Sequence, residues 1–148
     1  MSVRVSERNI SKVEYLHNAQ QLCNLVRDRI TKYVNKVANS KRYKLFAKSV
    51  DYPIWSSPIF HAKMVYEYCQ LANKERDTIK RLDYLSNASR NLTLLETSMQ
   101  TFYDNNRHII KDKFMILLAL SVKKQKDLLK GCIRYVKNVS WWQPLPSQ

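Results

Sequence analysis

A single glycine, Gly131, stands in 148 residues, with four prolines beside it. So few chain breakers exclude a sandwich of many short strands, which needs a turn every few residues, and favour long helices. No run of about 20 apolar residues is present, so no membrane-spanning helix is expected. The opening stretch, MSVRVSERNISKVEY, lacks the apolar core of a secretory signal, and a cytoplasmic protein is expected. Only three cysteines occur: Cys23, Cys69 and Cys132. Their number is odd, they are far apart, and no CxxC is present, which suits reduced thiols better than a disulfide framework. His17, His61 and His108 share no helical spacing with one another or with a cysteine, so no metal site is expected.

Acidic residues are scarce as well. Twelve Asp and Glu face 26 Lys and Arg, a formal net charge of +14. Hydrophobic residues still make up 45%, enough for a packed core in one domain. Such excess charge bears on partners and not on fold; nucleic acid is the first candidate and an anionic membrane surface the second. The excess is concentrated. Arg27 to Lys48 holds eight cations against Asp28, and Arg107 to Lys137 holds nine against Asp112 and Asp127. Each segment is therefore +7, and the remainder of the chain is neutral in sum.

The apolar periodicity is helical throughout. Ser11 and Glu14 have the spacing of a capping box, S-x-x-E. Leu16, Ala19, Leu22, Cys23, Val26, Ile30, Tyr33 and Val37 follow it, so a first helix is expected from about Ser11 to Val37 after a frayed segment 1–10. A second spans about Tyr43 to Asn73, with Ile59, Ala62, Val65, Tyr66, Cys69 and Ala72 inward. Pro53 and Pro58 remove backbone donors, so a kink or break is expected between Asp51 and Pro58. A third carries Leu82, Leu85, Ala88, Leu92, Leu95, Met99 and Phe102, ended by Asp104-Asn105-Asn106. The fourth runs from about Arg107 to Lys137. Short links between long helices make neighbours antiparallel, which predicts an all-α, up-down-up-down four-helix bundle over 11–137. Residues 138–148, NVSWWQPLPSQ, read as an extended tail, with Trp141 and Trp142 either folded over the bundle end or offered to a partner.

Two stripes run along the fourth helix at 100° per residue. Ile110, Phe114, Leu117, Ser121, Leu128, Cys132 and Tyr135 form the expected core face. Lys123, Lys126, Lys130, Arg134 and Lys137 fall almost opposite. A cation every turn over about 20 Å matches the spacing of a phosphodiester backbone, so these five are candidate nucleic-acid contacts. Lys41, Arg42 and Lys44 form a second basic cluster, and Tyr43 among them is a candidate base-stacking residue. Gly131 costs roughly 1 kcal/mol relative to Ala in a helix interior, and close approach of a neighbouring helix is the expected reason for it.

Catalytic motifs are missing. With one glycine there is neither a phosphate-binding loop nor a GxSxG elbow, and Glu67 and Asp51 have no second carboxylate on the same face. Helical ribonucleases of the HEPN class place an Arg four to six intervening residues before a His on one helix. His17 and His61 have no such Arg, and Arg107 directly adjoins His108. A non-catalytic protein without a cofactor is expected.

The middle of the chain carries a family pattern. Lys41 to Leu45 (KRYKL) opens an Ala- and aromatic-rich helix ending at Ala72-Asn73; then come Arg81 to Leu85 (RLDYL), Ala88, Asn91-Leu92 and Leu94-Leu95-Glu96. This resembles the four-helix-bundle proteins that include the accessory variability determinant of diversity-generating retroelements. It is also similar to the bundle proteins encoded by intervening sequences in bacterial ribosomal RNA genes. The similar stretch is about Leu16 to Tyr135. The resemblance implies a basic helical bundle that assembles as a five-fold barrel and binds RNA or DNA together with the retroelement's reverse transcriptase. In that family the reverse transcriptase performs the chemistry and the bundle is its accessory. Two other classes fit the same composition: a DNA-binding accessory protein of a mobilisation complex, and a helical toxin or ribonuclease without a recognisable motif.

Surplus apolar groups also point to a homo-oligomer. Trp55 and Phe60, five residues apart, diverge by about 140° on a continuous helix, as do Ile54 and Ile59. On the fourth helix Met115, Leu118 and Val122 lie beside the expected core stripe. A lateral subunit interface is expected there, most simply in a closed ring of five as the resemblance implies.

Overall fold

The computed structural model describes residues 5–39 and 52–142, with side chains described at 14–37, 39 and 53–138. Four helices make up these residues: α1 (Val5–Asn39), α2 (Tyr52–Lys74), α3 (Thr78–Asn105) and α4 (Asp112–Trp142). Each packs against the helices before and after it in a closed square, α1 on α2, α2 on α3, α3 on α4 and α4 on α1. The backbones of the diagonal pairs α1–α3 and α2–α4 do not approach one another, and only side chains meet across the centre. The protein is an all-α, antiparallel four-helix bundle, as periodicity and link lengths require.

α1 begins at Val5, earlier than the expected cap, so Ser11 and Glu14 lie within the helix. Nothing between Val5 and Ser11 breaks a helix, and each added residue costs little once a turn exists. Its buried face is Tyr15, Ala19, Leu22, Cys23, Val26, Ile30, Tyr33 and Val37. α2 carries Pro53 in its first turn, where the missing N–H would have had no helical partner anyway. It then continues through Pro58 without a break, leaving the Ile54 carbonyl without its usual donor. Ala62, Val65, Cys69 and Ala72 form its buried row. These residues are small, and α2 and α3 make the most extensive contact in the bundle. The expected start at Tyr43 lies outside the described residues.

α3 starts at a cap. The Asp77 carboxylate accepts from the Lys80 amide at 3.1 Å, satisfying one of the orphan donors of the first turn. Leu85, Ala88, Leu92, Leu95, Met99 and Phe102 are buried, and Leu82 packs half-buried beside them. Asn106 ends α3, and its carbonyl accepts from the Ile109 and Ile110 amides to turn the chain into α4. Ile109 and Ile110 are buried in that turn and close this end of the bundle.

α4 departs from its expected register. Its buried residues are Phe114, Leu118, Val122, Gln125, Leu129 and Val136, with Cys132 half-buried. Ile110, Phe114 and Cys132 keep their expected places, but Leu118, Val122 and Val136 are buried where Leu117, Ser121 and Tyr135 were expected. Leu129 lies deeper than Leu128, so the core face is turned by less than the 100° of one residue. The cause is Gln125, a polar residue in the middle of the true core row, which breaks that row's apolar pattern. Helix α4 also runs on to Trp142, so the tail expected from Asn138 is helical as far as that residue. The remaining 143–148 lie outside the described residues.

Gln125 is fully buried and explains itself by its partners. Its Oε1 accepts from Asn18 Nδ2 at 2.8 Å, and its Nε2 donates to the Tyr15 carbonyl at 2.9 Å. A weaker contact runs from Nε2 to Cys69 Sγ at 3.6 Å. Asn18 Nδ2 also reaches the Ser121 carbonyl at 3.4 Å. The cluster ties α1 to α4 and meets α2 at Cys69, so it specifies one helix register where an apolar core would accept several.

Burial around this cluster shifts two acids upward. Desolvation pushes the Cys69 thiol from 9.0 up to about 12. It also pushes the Tyr15 phenol from 10.0 up to about 12, opposed by the nearby Arg81 guanidinium. Both groups are neutral when protonated, and both folded values exceed the unfolded ones. Their contribution is therefore complete below about pH 9 and is lost as pH rises towards 12. Stability should fall by several kcal/mol across that window. A chemical-denaturation series at alkaline pH checks this: Cys69→Ala should flatten the alkaline limb, and an unchanged limb would mean that thiol titrates normally.

Candidate nucleic-acid interface

The rotation of α4 moves its cations relative to the core. They lie on the outer surface and are turned towards α3, with Lys126 and Lys137 nearest the core row and Lys123 and Arg134 still far round from it. Lys123, Lys130, Arg134 and Lys137 are exposed, and none of the four pairs with a carboxylate among the described residues. Lys126 behaves differently. It is half-buried, and its ammonium is ion-paired with Glu96 of α3. The free basic face therefore has four members and not five. Glu96 is the only acid on α3 between Asp83 and Asp104, and neither of those two pairs with the remaining four, Asp104 being held by Arg107. Lys124, one residue round the helix, pairs with Glu14 of α1 at 3.7 Å.

The α3 surface next to the basic face is polar and uncharged. Ser89, Thr93 and Thr97 occupy successive turns one helix over from Lys126 and Lys130, on the side that Glu96 identifies as facing α4. Thr93 and Thr97 are exposed, and their hydroxyls donate back to the carbonyls of Ser89 and Thr93 at 3.4 and 3.2 Å. Hydroxyl and cationic side chains on adjacent helices are the groups that contact phosphate oxygens.

Lys41, Arg42, Tyr43 and Lys44 lie outside the described residues. Arg29, Lys32 and Lys36 carry the Arg27–Lys48 segment's charge within α1. The Arg29 guanidinium lies 5.6 Å from the centroid of the Phe114 ring, which holds it at the α1–α4 edge.

Of the residues expected at partner contacts, Trp55 is half-buried against the core, and Phe60 is 54% exposed with its ring edge-on to His61. The side chains of Trp141 and Trp142 lie outside the described residues. Met115, Leu118 and Val122 are not surplus: the last two are buried and Met115 packs against them. The apolar groups that α4 leaves outside are Ile116, Leu117, Leu120 and Tyr135, at 62, 47, 62 and 60% exposure. Periodicity alone assigned two of these to the core. Gly131 also differs from expectation. Among the described residues no atom of another helix lies within 4 Å of a Cβ built on it, so the expected close helix approach is not seen there.

No family model, curated protein or solved structure matches the chain. None of the described helices is long and apolar enough to cross a membrane.

Proposed function

We propose that this chain is a non-catalytic accessory protein that binds nucleic acid through its backbone phosphates. The observation that carries the reading is the row Lys123, Lys130, Arg134 and Lys137, exposed and without carboxylate partners among the described residues, in a chain of net charge +14. An opposing polyanion is the partner that such a row lacks. Phosphates satisfy it wherever they are spaced along a strand, so affinity is set by charge and only weakly by sequence.

The resemblance over Leu16 to Tyr135 supplies the specific role: a cytoplasmic accessory subunit of a retroelement reverse transcriptase, engaging the enzyme and its template RNA. It also supplies a homo-oligomer, a closed ring of five. The outer face of α2, with Phe60 and Leu71 exposed and Trp55 half-buried, is the surface available for subunit contacts.

Two measurements on the purified protein test this. Mobility shifts with unrelated RNA and DNA duplexes at one salt concentration should give affinities within about tenfold of each other, since backbone contacts carry no sequence information. Tight binding to one sequence alone overturns the backbone reading. Light scattering at moderate salt should report a mass several times 17.6 kDa. A mass equal to one chain at every concentration overturns the ring.

A further inference from the structure

The outer surface of α4 is divided lengthwise. The basic row occupies the half beside α3. The half beside α1 is largely apolar: Leu117 and Leu120 are exposed, with Ile116 at the outer crest, Leu128 is half-buried, and Tyr135 is exposed near the other end, while the Lys124–Glu14 ion pair crosses it between Leu120 and Leu128. From Ile116 to Tyr135 the strip runs about 28 Å at 1.5 Å per residue. Gly131 lies within it, exposed, with nothing within 4 Å of its missing side chain. It is the chain's only glycine. A mid-helix glycine with no neighbour among the described residues leaves a notch on the surface, and a notch serves close approach by another backbone.

We propose that this strip is a docking site for an amphipathic helix of a different protein, with acidic residues flanking its apolar row. Charge decides the occupant. Lys123, Lys130 and Arg134 border the strip on one side, Arg29 and Lys32 of α1 on the other, and Lys113 stands at its head. Among the described residues the acids within reach are Asp127 and Glu14, and Glu14 is already paired with Lys124. A second copy of this chain would bring these cations against their equals. A partner helix with apolar residues at i, i+3/i+4 and i+7 and with Asp or Glu on either side meets both the strip and its borders. An anionic lipid surface would match the charges but has no use for the notch. The site shares Lys123, Lys130 and Arg134 with the phosphate-binding row, but its apolar strip is separate from that row, so a change in the strip need not remove nucleic-acid binding.

The probes are two synthetic helical peptides with the same leucine row, one flanked by Glu and one by Lys. Fluorescence anisotropy should give about tenfold or more tighter binding for the Glu-flanked peptide. Leu120→Glu and, separately, Gly131→Gln should each weaken that binding about tenfold or more, with nucleic-acid affinity unchanged for Gly131→Gln. Both positions are exposed, so the variants should keep the helical circular-dichroism signal. The proposal is overturned if the Glu-flanked peptide binds no better than the Lys-flanked one, or if both variants bind it as wild type does. Three further results overturn it by naming another occupant. A dimer that Leu120→Glu dissociates assigns the strip to a second copy. Binding to equal-part phosphatidylcholine and phosphatidylglycerol vesicles that Leu120→Glu abolishes assigns it to a membrane. A melting temperature lowered by more than about 8 °C in Leu117→Ser/Leu120→Ser assigns it to a segment of this chain.

Discussion

Replacing Lys123, Lys130, Arg134 and Lys137 together by Glu should lower affinity for RNA or DNA by on the order of 100-fold or more near physiological salt. The four side chains are exposed and have no carboxylate partners among the described residues, so their replacement breaks no internal ion pair. The helical circular-dichroism signal should be unchanged, because exposed positions of this kind usually cost under about 0.5 kcal/mol each. Lys126 is left out deliberately. Its ion pair with Glu96 joins α4 to α3, and reversing it would set two carboxylates against each other. If the fourfold variant folds and binds normally, the footprint lies elsewhere, with Arg29, Lys32 and Lys36 of α1 as the next positions to replace.

The second large effect concerns Gln125. Gln125→Ala removes the acceptor of Asn18 Nδ2 and the donor to the Tyr15 carbonyl, and it opens a cavity among α1, α2 and α4. The expected cost is about 2–4 kcal/mol, read as a lower denaturation midpoint. Replacing both members of the pair, Asn18→Leu with Gln125→Leu, should recover much of that loss, because no buried polar group is then left alone. The double variant should also bind nucleic acid as wild type does, since neither side chain reaches the surface. A double variant as unstable as the single one would show that packing, and not hydrogen bonding, makes Gln125 indispensable.

The same residue explains where sequence and structure part. α3 is legible almost throughout: its leucines recur at unbroken helical spacing, and Asp104-Asn105-Asn106 marks its end. α2's small inward residues are likewise plain from spacing. On α4 two rows compete one residue apart. The row through Leu117, Leu128 and Tyr135 is interrupted only by Ser121, while the row through Leu118, Val122, Leu129 and Val136 contains Gln125. Periodicity favours the first, and the tertiary partner of Gln125 favours the second. That partner, Asn18, lies 107 positions away, beyond any local pattern. The basic residues are plain from spacing, but their surroundings are not. Glu96 neutralises Lys126 because α3 and α4 pack in one register, and a register between helices is a property of the fold. Gly131 is visible at once as an anomaly, yet only the space around it shows that none of the described residues packs against it.

The salt dependence of binding tests the central claim most directly. The logarithm of the association constant for one DNA duplex would be measured against the logarithm of salt concentration, for wild type and for the Gln variant of Lys123, Lys130, Arg134 and Lys137. If the four cations each displace a counterion, the wild-type slope is steeper than the variant's by about 3 to 4. Equal slopes for the two proteins would contradict the account, whatever their absolute affinities.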